Sequence, residues 1–170
     1  MNANLAAWNA ADATEARNAM LACCGAKRWA DAMAALRPIE NVAALSEAAD
    51  RVWSTMHEAD WLEAFACHPR IGERKEAAHT GTKSTAWSRA EQSQTNSASE
   101  NVLAEIAAGN QEYEDRFGFT YIVCATGKSA EEMLAILKRR LGSTREAELR
   151  EAAEQQRQIM QIRLGKWLIE

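Results

Sequence analysis

The sequence predicts an all-α, single-domain helical bundle over residues 1–170, with one short extended segment near residues 119–125. Alanine occupies 35 of the 170 positions and aromatic residues only 6% of them, so the apolar side chains are mostly small and suited to close helix packing. Apolar residues also recur at three- and four-residue spacing through most of the chain, which is typical of amphipathic helices. The length is that of one domain with its own core.

Two prolines, Pro38 and Pro69, divide the first half of the chain. Apolar periodicity predicts one helix before Pro38 and two helices between the prolines, because proline ends a helix that precedes it. Residues 70–83 are polar, contain a mixed charge run and show no apolar stripe. We therefore expect a long surface loop there, which in a compact domain is often a binding or lid element.

The second half is predicted to hold four more helices. The first begins near residue 87 and the second ends at residue 117. The third runs from about residue 129 to 142, and the fourth begins at residue 144. Gly118 stands where a left-handed residue ends a helix. Residues 119–124 are β-branched or aromatic and too few for a helix, which predicts the extended segment.

Charge and cysteine content exclude several classes of protein. The formal net charge is -4, the pI is about 5.5, and the longest basic block is Lys138-Arg139-Arg140, so no nucleic-acid partner is expected. No apolar run approaches the about 18 residues that span a bilayer, and the N-terminus lacks a secretory signal pattern, so no membrane partner is expected. Four cysteines without a C-x-x-C spacing fit neither a disulfide framework nor zinc, and favour a reducing, cytoplasmic compartment.

His68 is the first candidate for chemistry. It follows an apolar helix directly and precedes Pro69, which excludes it from continuing that helix. A helix C-terminus favours the imidazolium form, so His68 can act as a general acid. The alternative is that His68 only caps the last carbonyl groups of the helix.

Ser88, Glu91 and Gln92 form the second candidate, because their spacing places them on one helical face. A hydroxyl, a carboxylate and an amide on one face can bind a small polar ring. The alternative is strong, since Ser-x-x-Glu is also the capping box.

Arg163 is the third candidate, since it interrupts the apolar stripe of the last helix. Arginine is seldom buried without a partner. It either reaches an internal carboxylate such as Glu91, binds an anionic ligand, or extends along the helix to the surface. The three histidines have no metal-ligand spacing, so no metal site is expected.

Four motifs, in this order, resemble the 2-oxo-4-hydroxy-4-carboxy-5-ureidoimidazoline (OHCU) decarboxylase family. They are Phe65-x-Cys67-His68-Pro69-Arg70-Ile71-Gly72, Ser88-x-x-Glu91-Gln92, Phe117-Gly118-Phe119 followed by residues 121–125, and Ile162-Arg163-Leu164. The resemblance implies an all-helical domain, usually a homodimer, that forms (S)-allantoin from an anionic ureidoimidazoline in the last step of urate oxidation. It also implies that neither a metal nor an organic cofactor takes part.

The resemblance implies roles for individual residues. His68, Glu91 and Arg163 are expected to be catalytic, with Arg163 also binding the substrate. The other expected substrate contacts are Pro69, Ser88, Glu91, Gln92, Tyr121, Ile122, Val123, Cys124 and Ala125. Tyr121 departs from the phenylalanine common in the family, which leaves open whether its hydroxyl faces the ligand. The chain end lacks the peroxisomal tripeptide of some members, which favours a cytoplasmic enzyme.

Two other classes of protein compete with this interpretation. A helical thiol enzyme would use Cys67 beside His68 and would show fast thiol reactivity. A helical interaction module would use tryptophan-rich faces and would tolerate loss of both His68 and Arg163.

Overall fold

The computed structural model describes residues 2–73, 82–93 and 98–170. Those residues form nine α-helices and no strand, which confirms the all-α prediction. The helices are α1 (Ala3–Ala10), α2 (Ala13–Cys23), α3 (Lys27–Ala35), α4 (Val42–Trp53), α5 (Glu58–Ala66), α6 (Thr82–Glu91), α7 (Glu100–Phe117), α8 (Ala130–Arg140) and α9 (Arg145–Trp167).

The predicted helices correspond to α3 through α9, but one boundary is wrong. Helix α6 begins at Thr82, within the predicted loop of residues 70–83 and five residues before the predicted start at Trp87. The buried face of α6 includes Ser84 and Ser88, so small polar residues replace the apolar stripe that periodicity detects. The middle of the predicted loop, residues 74–81, lies outside the described residues.

The chain divides into two compact units, which share helix α9. The first unit comprises residues 1–64 and 157–170. Two of its buried tryptophans satisfy their polar atoms: the indole N–H of Trp8 donates to the Ala16 carbonyl at 2.9 Å, and that of Trp29 donates to the Ala49 carbonyl at 3.2 Å. These two rings are therefore buried without leaving an unsatisfied donor.

The second unit comprises residues 65–156 and is built around aromatic rings. Their centroids lie 4.6 to 6.4 Å apart at tilted or edge-on angles, which are favourable arrangements for ring pairs. The rings belong to Phe65, Tyr113, Phe117, Phe119 and Tyr121. Through Phe119 and Tyr121, this cluster anchors the first part of the irregular segment 119–125, which is neither helix nor strand.

Local signals fix the ends of the helices around that segment. Gly118 has φ +80° and ends α7, as the sequence predicts. Ser129 and Glu132 form a reciprocal capping box at the start of α8. At the start of α9, the Thr144 hydroxyl accepts a hydrogen bond from the Ala147 amide at 3.2 Å.

Two buried tyrosines make the stability of the fold sensitive to alkaline pH. Burial raises the pKa of Tyr113 and Tyr121 above the ordinary value of 10.0. Above about pH 10 the unfolded chain loses phenolic protons that the folded chain keeps, so the free energy of unfolding falls as pH rises. Urea unfolding between pH 8 and 11 should show this fall, and Tyr121→Phe should make it shallower. An equally steep fall in the Phe variant would assign the effect to other groups.

Candidate active site

His68 lies two residues beyond the end of α5 and is half-buried. Its backbone N–H donates to the Phe65 carbonyl at 3.1 Å, which closes the turn before Pro69. Its Nε2 lies 2.6 Å from Oε1 of Gln156 in α9. This ring nitrogen therefore contacts the last helix.

Gln156, the partner of His68, was not singled out by sequence reasoning. Its side chain is fully buried, and its amide Nε2 has no acceptor among the described residues. The signal was present in the sequence, because Gln156 interrupts the same apolar stripe of α9 as Arg163, seven residues earlier. A buried polar residue on an apolar stripe indicates a specific hydrogen-bond partner, and this holds for Gln156 as it does for Arg163.

Helix α7 holds the residues that follow Pro69. Arg70 donates through Nε and Nη2 to the two carboxylate oxygens of Glu114, at 2.7 and 2.5 Å. Two parallel bonds of this kind fix both distance and orientation. The buried Asn110 donates from Nδ2 to the Ile71 carbonyl at 2.9 Å. The segment that carries His68 is thus bonded to α7 at positions two and three residues beyond the histidine.

The end of α6 meets the same segment. Gly72 has φ +84°, a conformation that favours glycine, and its N–H donates to Oε1 of Gln92 at 3.1 Å. Ser88 is buried in the interior of α6, so the capping-box alternative for Ser88 and Glu91 is wrong. Glu91 is the last residue of α6 and is half-buried. The structure therefore brings the second candidate motif to the His68 segment through Gln92.

Side chains, rather than a neighbouring strand, hold the backbone of residues 120–125. The Arg140 guanidinium donates to the Ile122 carbonyl at 2.6 Å, and the Cys124 N–H donates to Oε1 of Gln155 at 2.8 Å. All five predicted contact residues from 121 to 125 are buried. The Tyr121 ring packs in the aromatic core, and its hydroxyl donates to the Met133 carbonyl at 3.1 Å, so this side chain serves the fold.

A buried ionic network lies behind this segment. Arg140 donates to Glu148 at 2.8 Å, Tyr113 donates to the same Glu148 oxygen at 2.5 Å, and the Arg140 guanidinium lies 5.0 Å from the centre of the Tyr121 ring. Arg140 and Glu148 are each 1% exposed. Sequence reasoning counted Arg140 only as part of the longest basic block and did not predict this network.

Arg163 belongs to the other unit, residues 1–64 and 157–170. It is 3% exposed in α9, so the alternative in which it extends to the surface is wrong. Residues 2–73, 82–93 and 98–170 hold no group of three metal-ligating side chains, and no helix among them is long and apolar enough to cross a membrane.

Loss of the Asn110 contact should loosen the His68 segment. Asn110→Ala leaves the Ile71 carbonyl without its donor, and we expect the free energy of unfolding to fall by about 1–3 kcal/mol. Gln111→Ala is the matched control, because Gln111 is exposed and binds only Asp115 of its own helix. Urea unfolding compares the two variants; equal losses would contradict a specific role for Asn110.

The described residues thus form an all-α fold in which carboxylate and amide side chains fix the segment that carries His68. The family model described as OHCU decarboxylase matches residues 9–165. The chain therefore belongs to the OHCU decarboxylase family, as its motifs predict.

Individual relatives are consistent with membership of this family. The chain is 34% identical over 152 residues to the uric acid degradation bifunctional protein TTL of Arabidopsis thaliana, which covers 85% of this chain and 44% of that protein. It is 26% identical over 132 residues to a 2-oxo-4-hydroxy-4-carboxy-5-ureidoimidazoline decarboxylase of Haloferax volcanii, covering 76% of this chain and 74% of that one. The chain thus spans less than half of the bifunctional plant relative.

A solved structure shows the same fold. The crystal structure of an OHCU decarboxylase in the presence of (S)-allantoin aligns with a TM-score of 0.77 and 30% identity. The alignment covers 90% of this chain and 99% of that chain.

Proposed function

We propose that this chain decarboxylates 2-oxo-4-hydroxy-4-carboxy-5-ureidoimidazoline to (S)-allantoin, the last step of urate oxidation, as a carboxy-lyase without a metal or organic cofactor. Family membership and the related structure crystallised in the presence of (S)-allantoin support this activity. The observation that carries it is His68, half-buried on a segment that α6 and α7 fix and bonded through Nε2 to α9.

The substrate needs little from the protein beyond binding and one proton. Its carboxylate sits on a ring carbon that bears a hydroxyl and adjoins a C=N bond, so the electron pair left by CO2 delocalises into that bond. The enzyme must then hold the anion, favour the geometry in which CO2 leaves, and deliver a proton to one face.

Each of these tasks is assigned to particular predicted site residues. His68 positions the carboxylate and acts as the acid, while Glu91 and Gln92 orient the hydroxyl and ureido groups, with Pro69 and Ser88 as further contacts. Arg163 binds anionic or carbonyl oxygens, a role that suits a buried guanidinium. Backbone N–H groups of residues 122–125 bind ring oxygens. The Cys124 N–H already donates to Gln155, so this group would have to exchange partners to bind substrate.

The remaining expectations concern organisation. We propose that residues 1–170 act as one domain, since a single family model matches residues 9–165 across both units. A homodimer is proposed from the resemblance alone. A cytoplasmic location is proposed from four cysteines whose spacing fits no disulfide framework.

Circular dichroism tests the proposed reaction. Urate is supplied with urate oxidase and hydroxyisourate hydrolase, with and without this protein, and the rate and enantiomeric purity of allantoin are followed. Rapid (S)-allantoin formation only in the presence of the protein is the expected result. Racemic allantoin at the spontaneous rate, with folded protein present, would overturn the proposal.

A further inference from the structure

We propose that Gln156 is a further residue of the active site: its Oε1 positions His68, and its Nε2 donates a hydrogen bond to an oxygen of the bound substrate. This inference rests on the proposed function. Gln156 belongs to none of the motifs by which the family is recognised in this chain.

The contact with His68 defines which imidazole nitrogen carries a proton. An amide oxygen only accepts hydrogen bonds, so Nε2 of His68, 2.6 Å away, must be the donor. In the neutral imidazole the other nitrogen, Nδ1, is then the basic one. Nδ1 is therefore the atom that gains and loses the proton during the reaction, while Nε2 keeps its proton and fixes the ring.

The other half of the amide has a donor but no acceptor. Gln156 is 0% exposed, and its Nε2 bonds to nothing among the described residues. Buried polar groups are nearly always satisfied, so an exception beside a candidate catalytic histidine indicates a ligand atom that completes it. An anionic or carbonyl oxygen of the substrate has the required chemistry, because amide N–H groups donate to such oxygens.

The neighbouring residue supports this placement. Gln155 accepts from the Cys124 N–H at 2.8 Å, so one turn of α9 contacts both the His68 segment and residues 120–125. These are two of the segments to which the proposed function assigns substrate contacts. The unsatisfied donor of Gln156 therefore belongs to the turn of α9 that contacts both segments.

Two substitutions separate the two roles of Gln156. Gln156→Met removes both the acceptor for His68 and the donor for substrate, and we expect kcat to fall about 10²-fold with a rise in KM. Gln156→Glu keeps an acceptor for His68 but replaces the donor with a negative charge. In this variant kcat should recover toward the wild-type value, while KM for the anionic substrate should rise about tenfold or more.

Gln161→Met is the matched control. Gln161 lies five residues further along α9, is half-buried, and donates to the Ser46 carbonyl and to Asp50. It reports the cost of removing a glutamine amide from the same helix, and its kcat and KM should stay near wild type. A loss equal to that of Gln156→Met would overturn the proposal in favour of a general effect on the helix.

Nitrogen-15 NMR of the histidine rings provides a readout that needs no substrate. The protein has three histidines, so His68→Asn identifies the signal of His68. A protonated Nε2 at His68 is expected in the wild type and in Gln156→Glu, with a mixture of tautomers in Gln156→Met. An unprotonated Nε2 in the wild type would overturn the proposal even if the enzyme is active. Absence of (S)-allantoin formation by the wild type would instead overturn the proposed function, leaving the pairing of Gln156 with His68 measurable.

Discussion

His68→Asn should lower kcat for (S)-allantoin formation by about 10²–10⁴-fold, the range expected when a general acid is removed. Asparagine is polar but smaller than histidine, it does not reach Gln156 as Nε2 of the imidazole does, and it has no group that exchanges a proton near neutral pH. The neighbouring contacts, from Arg70 to Glu114 and from Asn110 to Ile71, do not involve the imidazole. The fold should therefore persist.

The measurement combines two readouts. The circular dichroism assay gives kcat, and urea unfolding should give a free energy of unfolding within about 3 kcal/mol of the wild-type value, the most expected when the buried amide oxygen of Gln156 loses its donor. His57→Asn is the matched control, because His57 is exposed in the first unit. Turnover near the wild-type rate in His68→Asn would refute its role as the acid.

Arg140→Met should lower the free energy of unfolding by about 3–5 kcal/mol, because it leaves the buried Glu148 without its cationic partner. For a chain of this length the midpoint of thermal unfolding should fall by roughly 6–20 °C. The Ile122 carbonyl also loses its donor, so activity should fall in variants that remain folded.

Two further variants isolate the cause of this loss. Arg139→Met is the matched control, since Arg139 is exposed in the same turn of α8. The double variant Arg140→Met with Glu148→Leu removes both charges and should be less destabilised than Arg140→Met alone, because no uncompensated charge remains. Equal losses in the Arg139 and Arg140 single variants would contradict the importance of the buried pair.

Local patterns were sufficient for most of the fold. Periodicity, the prolines, Gly118 and the Ser129 capping box predicted helices α3 to α9, and the motifs predicted the family that the comparisons confirm. Helices α1 and α2 were not predicted, because alanine-rich segments such as Ala3–Ala10 show little contrast between faces.

Long-range partners explain what sequence reasoning missed. Gln156 lies 88 positions from His68, and Gln155 lies 31 positions from Cys124, so no local pattern links them. Arg140 follows two other basic residues in the sequence, and only tertiary packing places it beside Glu148. The roles of the predicted site residues stay predictions until the substitutions are measured.

The proposed substrate contacts at residues 121–125 lie on a segment whose backbone is held by side chains. A strand within a sheet takes its shape from a backbone ladder that point substitutions scarcely alter. Here Arg140 and Gln155 supply bonds that such a ladder would provide. Side chains on α8 and α9 can therefore reshape the segment one mutation at a time, and directed evolution toward related ureido acids should accumulate changes on these two helices.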